Sequence, residues 1–120
     1  MIADLPPAYE CVVERIVDAD TWKCRNGIMT RAGAINARES DGTCRRGMVC
    51  PIMPPARAKA IVTRMVLHKR LTCEPMGKSW NRTVAACRFA DDRSVSCAIA
   101  ATGAAAWEPS YARRYGMRCP

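Results

Sequence analysis

Eight cysteines in a 120-residue chain constrain this protein more than any other feature. They are Cys11, Cys24, Cys44, Cys50, Cys73, Cys87, Cys97 and Cys119. A chain this short builds one modest core, and an even cysteine count in such a chain reads as a disulfide framework. Zinc is the competing use of thiols. It is disfavoured because there is no Cys-x-x-Cys pair and His68 is the only histidine. Cys44 and Cys50 bracket a short polar loop and are expected to pair. Cys73 and Cys87 flank Trp80-Asn81-Arg82 on what read as neighbouring strands, and are also expected to pair. A bridge closing a loop of about 15 residues is worth roughly 3 kcal/mol, a large share of a domain stability of ~5–15 kcal/mol. The sequence leaves the other four open; the pairing carried forward is Cys11 with Cys24 and Cys97 with Cys119.

Disulfides imply an oxidising compartment, yet Met1-Ile2-Ala3-Asp4-Leu5-Pro6-Pro7 has neither the basic nor the apolar region of a signal peptide. The expectation is a mature secreted or periplasmic protein whose leader has been removed. No apolar run approaches the ~20 residues of a membrane span. The net charge is +8, and arginine supplies 15 of the 19 basic residues. Arginine is the better phosphate fork, so the bias leans toward a polyanionic partner.

Residues 10–17 read as a strand, Asp18-Ala19-Asp20 as a turn, and Thr21 to Cys24 as a second strand. Asn26-Gly27 is a hairpin signal before a third strand over 28–35. Residues 38–52 are polar and cysteine-bracketed, hence a loop. Pro54-Pro55 starts a helix predicted through about Lys69, with Ala58, Ile61, Val62, Met65 and Val66 on one face. A fourth strand over 71–74, a loop over 75–81 and a fifth strand over 83–89 follow. Ser94 to Thr102 is helix-compatible and stopped by Gly103. Five short strands with a helix between the third and the last two predict an α+β, strand-rich, five-stranded barrel of the oligonucleotide/oligosaccharide-binding (OB) type. The predicted organisation is an arm over 1–10, one domain over 11–111 and a tail over 112–120.

Three pieces of this sequence carry chemistry together: Val17-Asp18-Ala19-Asp20-Thr21, Arg31 to Glu39, and Trp80-Asn81-Arg82. Taken singly, Arg31 is an ordinary surface arginine, Asp20 a turn aspartate and Glu39 a solvated carboxylate. Combined, they meet the needs of phosphodiester hydrolysis. A hard cation takes carboxylate oxygens, an attacking water takes a general base, and a five-coordinate phosphate takes guanidinium forks.

With Arg31-Ala32-Gly33-Ala34-Ile35-Asn36-Ala37-Arg38-Glu39 as the second piece and Gly103-Ala104-Ala105 as a fourth, the chain resembles the staphylococcal nuclease-like (thermonuclease) family over roughly residues 11–111. The Thr72-Cys73-Glu74-Pro75 and Val84-Ala85-Ala86-Cys87 flanks look like its cysteine-rich secreted branch. The resemblance implies a barrel with about three helices and a calcium-dependent nuclease acting on DNA and RNA, here expected to be monomeric. It assigns Arg31 and Arg82 to the scissile phosphate and Glu39 to the attacking water. Asp20 and Asn36 would give side-chain oxygens to calcium, and Ala37 its backbone carbonyl. Trp80 and Tyr111 are candidate substrate contacts.

Four departures from the family pattern stand out. Asp-Gly-Asp is Asp18-Ala19-Asp20, which puts a Cβ into a tight turn. An aspartate ligand is Asn36, which lowers the ligand charge that calcium affinity depends on. The proline before the glutamate is Arg38. Tyr-Gly before the second arginine is Trp80-Asn81. These changes favour the alternative expectation, an inactive nuclease-like barrel that binds nucleic acid or another polyanion. Some proteins of this family are linked to exopolysaccharide production. A third expectation is a disulfide-rich structural or partner-binding module that binds no polyanion.

Overall fold

The computed structural model describes residues 5–120; part of the expected N-terminal arm lies outside them. Strand β1 (Tyr9–Asp18) is followed by β2 (Thr21–Cys24) and β3 (Met29–Ala32) as an antiparallel meander. Short β4 (Ile35–Asn36) comes next, then helix α1 (Pro55–Val66) and the β5 (Arg70–Ser79) to β6 (Arg82–Arg88) hairpin. Helix α2 (Val95–Thr102), β7 (Ala106–Trp107) and α3 (Pro109–Tyr115) complete the chain. Five strands close into a barrel in the order β1-β2-β3-β6-β5, with β3 and β6 parallel and every other pair antiparallel. This is the expected strand-rich, OB-like barrel with three helices among the described residues. β4 and β7 pair separately, just outside it.

The alternation that builds the barrel is visible in β1. Cys11 and Val13 face inward, a bulge at Glu14-Arg15 shifts the register, and Ile16 then faces inward again. Trp22, Leu71 and Ala85 meet them from other strands, and Ala58, Val62 and Val66 of α1 join the same core. The four disulfides pair as expected. Cys11–Cys24 joins β1 to β2, Cys73–Cys87 joins directly paired residues of β5 and β6, Cys44–Cys50 closes a short loop, and Cys97–Cys119 ties the C-terminus to α2.

The structure corrects several sequence expectations. The third strand is broken at Gly33-Ala34, where buried Ala34 takes φ 69°. A Cβ on Gly33 would fall 2.8 Å from the Met117 sulfur, so a larger residue there would have to displace the Met117 side chain. Helix α1 stops before Lys69, because His68 turns to φ 64° and donates its N–H to the Val13 carbonyl. Residues 75–79 are strand, not loop. β5 runs through Pro75 across a bulge, a position where a missing N–H is tolerated, and only Trp80-Asn81 remain as the turn. The tail after Trp107 contains α3, with Glu108 as N-cap and Pro109 in its first turn. Ordered structure therefore begins in β1 before residue 11 and continues beyond residue 111 through α3 to the Cys97–Cys119 bridge. Ala19 is not among the positive-φ residues and its side chain joins the core, so alanine fits the Asp18–Asp20 turn without backbone strain.

Candidate functional site

The β1–β2 turn, β3, the start of β6 and the segment after β4 converge at one end of the barrel. The turn supplies Asp18 and Asp20, β3 supplies Arg31, and β6 supplies Arg82. The post-β4 segment supplies Asn36 to Glu39. With Arg45 they line a single cavity of about 10 Å³. That is room for about one water or ion. A larger ligand would lie across its mouth and insert only a polar group. The cavity unites all six of Arg31, Glu39, Arg82, Asp20, Asn36 and Ala37, which span more than 60 positions of sequence.

Asp20 is the hub. Its Oδ2 accepts from the Ala37 N–H at 3.0 Å and faces the Arg31 guanidinium at 3.3 Å, while its Oδ1 accepts from the Thr21 hydroxyl at 2.8 Å. Both side chains of the Arg31–Asp20 pair are more than nine-tenths buried. Arg31 is also stacked over the Tyr111 ring, 5.2 Å from its centre. Arg82 is held far more loosely. It is half-buried and reaches Thr21 and Ser79 hydroxyls only at 3.5 Å. Glu39 is exposed in the loop, where its backbone is pinned by a bond to Thr43 O.

Three carboxylates (Asp18, Asp20, Glu39) share this cavity with four guanidiniums (Arg31, Arg38, Arg45, Arg82). Partial burial lifts the Asp18 carboxyl above its ordinary pKa, and the negative charges of Asp20 and Glu39 push it the same way, against Arg82 and Lys59. The four guanidiniums nevertheless outnumber the three carboxylates, so the cavity is not acidic overall. Asn36 gives its Nδ2–H to the Val49 carbonyl at 3.0 Å, so its amide oxygen is the atom left for a ligand. No group of three or more His, Cys, Asp or Glu placed to hold a metal occurs among the described residues. A cation here would rest on two carboxylates at most, with carbonyl oxygens, water or substrate oxygens completing its shell.

The two expected substrate contacts behave differently from the rest. Trp80 sits at the β5–β6 turn with φ 58°, is 86 % exposed, and lines neither this cavity nor its neighbour. Tyr111 is 8 % exposed on α3, where its ring lies under Arg31 and its hydroxyl accepts from Arg45 at 3.0 Å. It is a buried support for two arginines rather than an open stacking surface. Sequence reasoning missed Arg38, Arg45 and Glu108. Buried Glu108 accepts from the Val49 N–H at 2.7 Å and from Ser110. The Ser110 hydroxyl, followed by the Val49 N–H, holds its carboxyl below the usual range. The Glu108-Pro109-Ser110 run was a legible helix start; its second task, anchoring a loop 59 residues away, was not.

No helix among the described residues is long and apolar enough to cross a membrane, and the four disulfides are consistent with an oxidising compartment. No protein-family model and no curated protein matches the chain.

Proposed function

We propose that this cavity is the active site of an exported nuclease of the staphylococcal nuclease-like type, hydrolysing phosphodiester bonds of DNA or RNA. The observation that carries the reading is the convergence itself. Residues selected from three separate stretches of sequence, for a single chemistry, line one small cavity at the end of an OB-like barrel.

In this reading the phosphodiester lies across the mouth of the cavity. Exposed Glu39 takes the proton of a water attacking phosphorus in line, the P–O ester bond opposite the water breaks, and the departing sugar oxygen takes a proton from solvent. Arg82, with few competing contacts, and Arg31, fixed by Asp20 and Tyr111, donate to the non-bridging oxygens as charge develops on them. Asp20, the Asn36 amide oxygen and the Ala37 carbonyl would hold calcium, which supplies Lewis-acid polarisation of the phosphate when bound. All of these groups come from one chain, so a monomer suffices. The test is cleavage of single-stranded DNA by the oxidised protein with calcium. Arg82→Ala is expected to lose about 10²–10³ in rate while remaining folded; an unchanged rate would reject the assignment.

The excess of guanidinium over carboxylate groups, and the commitment of Asp20 to Arg31, favour a second reading. In it the site binds nucleic acid or another polyanion without cleaving it. Salt-sensitive binding with no cleavage under any divalent ion would select this reading over the first.

A further inference from the structure

Two of the family-pattern departures, Asn36 and Arg38, share a structural task. The Asn36 Nδ2–H is donated to the Val49 carbonyl at 3.0 Å. Arg38 donates from Nε to the Pro51 carbonyl and from a terminal nitrogen to the Gly42 carbonyl, each at 2.6 Å. Glu108 accepts from the Val49 N–H at 2.7 Å, and the Cys44–Cys50 bridge closes the loop between these clamps. Side chains and a disulfide thus hold the loop from both sides. What the clamped loop delivers to the site is Arg45.

Arg45 lines the cavity that holds Glu39 and Arg82. It also lines an adjoining cavity of about 70 Å³, where Arg31, Lys78 and Arg114 are the other charged groups and no carboxylate is present. One terminal nitrogen bonds the Tyr111 hydroxyl, which leaves the rest of the guanidinium fork free. No acidic side chain pairs with it among the described residues. A guanidinium held in place, without a counter-ion, at the junction of two cavities suits a phosphate oxygen.

We propose that Arg45, presented by the Cys44–Cys50 loop, is a third phosphate-binding arginine of this site and grips nucleic acid without any metal ion. The inference rests on the reading of the site as a nucleic-acid site. It gives Asn36 and Arg38 a positive role: they clamp the loop that brings a fixed cation to the pocket.

The test is binding of fluorescein-labelled decathymidylate in chelator, across a range of salt, beside calcium-dependent cleavage by the same preparations. Arg46 is the internal control: like Arg45 it is exposed in the same loop and carries the same charge, but it lines neither cavity. Arg45→Gln is expected to weaken binding about tenfold and to reduce the salt slope by about 0.7, the share of one phosphate contact on a single strand. Arg46→Gln should stay within about twofold of the native protein. Equal effects of the two substitutions would overturn the role of Arg45 and leave the nucleic-acid reading standing. Absence of binding in chelator, with calcium-dependent cleavage intact, would do the same. Absence of both binding and cleavage would overturn the reading and the inference together.

Discussion

Arg31 is predicted to be a stability residue as well as a phosphate residue, and the two roles can be separated by a double-mutant cycle with Asp20. Breaking a buried ion pair by removing one partner typically costs about 3–5 kcal/mol, because the remaining charge is left uncompensated. In Arg31→Met, Asp20 keeps the Ala37 N–H and the Thr21 hydroxyl, two of its three donors. The loss should therefore fall at the lower end, about 3 kcal/mol. In Asp20→Asn, Arg31 keeps the Tyr111 ring, a contact worth about 1 kcal/mol. The carboxylate that faces Arg31 at 3.3 Å is lost, so the cost is similar. The double variant leaves neither charge stranded and should be about 2 kcal/mol more stable than the sum of the single losses implies. For a domain of this size 1 kcal/mol shifts Tm by roughly 4 °C, so Arg31→Met should melt about 12 °C below the native protein. Arg82→Met, with only 3.5 Å contacts to lose, should stay within about 4 °C. Thermal unfolding of the disulfide-intact proteins followed by circular dichroism measures all four variants. An Arg31→Met melt within about 4 °C of native, or strictly additive losses, would refute the account of the pair.

Two further predictions concern Asp18 and the clamped loop. Burial and the charges of Asp20 and Glu39 raise the Asp18 pKa in the folded state, so the folded protein holds that proton more tightly than the unfolded chain. The ionised group therefore lowers stability once the pH exceeds its folded pKa, and the penalty vanishes below its unfolded pKa. Asp18→Asn should raise Tm at pH 7 and leave it unchanged near pH 3, read from paired melts; a gain at both pH values would contradict the linkage. Arg38→Ala removes the bonds to the Pro51 and Gly42 carbonyls, and should hasten trypsin cleavage at Arg45 or Arg46 severalfold without moving the global melt by more than about 4 °C. Unchanged cleavage would show that the Cys44–Cys50 bridge and the Asn36 and Glu108 bonds to Val49 hold the loop without Arg38.

The strand meander, the main helix and the Cys44–Cys50 and Cys73–Cys87 pairs were legible because each leaves a local mark, whereas the other two pairs were left open and the residues that line the cavity were gathered by a family resemblance. Such marks are alternation, Asn-Gly, and Pro-Pro at a helix start. Features that depend on distant partners were not legible. Ala34 takes a left-handed conformation because the chain must leave the barrel between β3 and β4, and nothing about an alanine announces that. Pro75 looked like a strand breaker, yet a bulge opposite Ala85 and Val84 absorbs its missing N–H. Tyr111 read as a candidate substrate contact, whereas α3 turns it inward to hold Arg31 and Arg45. Asn36 and Arg38 read as defects of a metal pocket because their partners, the carbonyls of Val49, Pro51 and Gly42, are backbone groups without a sequence signature.

The central claim is that Glu39 and the arginines around it form a hydrolytic phosphodiester site. Its most direct test is cleavage of single-stranded DNA by the oxidised protein, with millimolar calcium and with chelator, beside Glu39→Gln. Glu39 is exposed and its side chain makes no hydrogen bond among the described residues, so the substitution should leave the fold and its melt intact. The account predicts calcium-dependent cleavage by the native protein, reduced by about 10² or more in Glu39→Gln. Equal cleavage by both proteins, or none by a folded, disulfide-intact native protein, would contradict it.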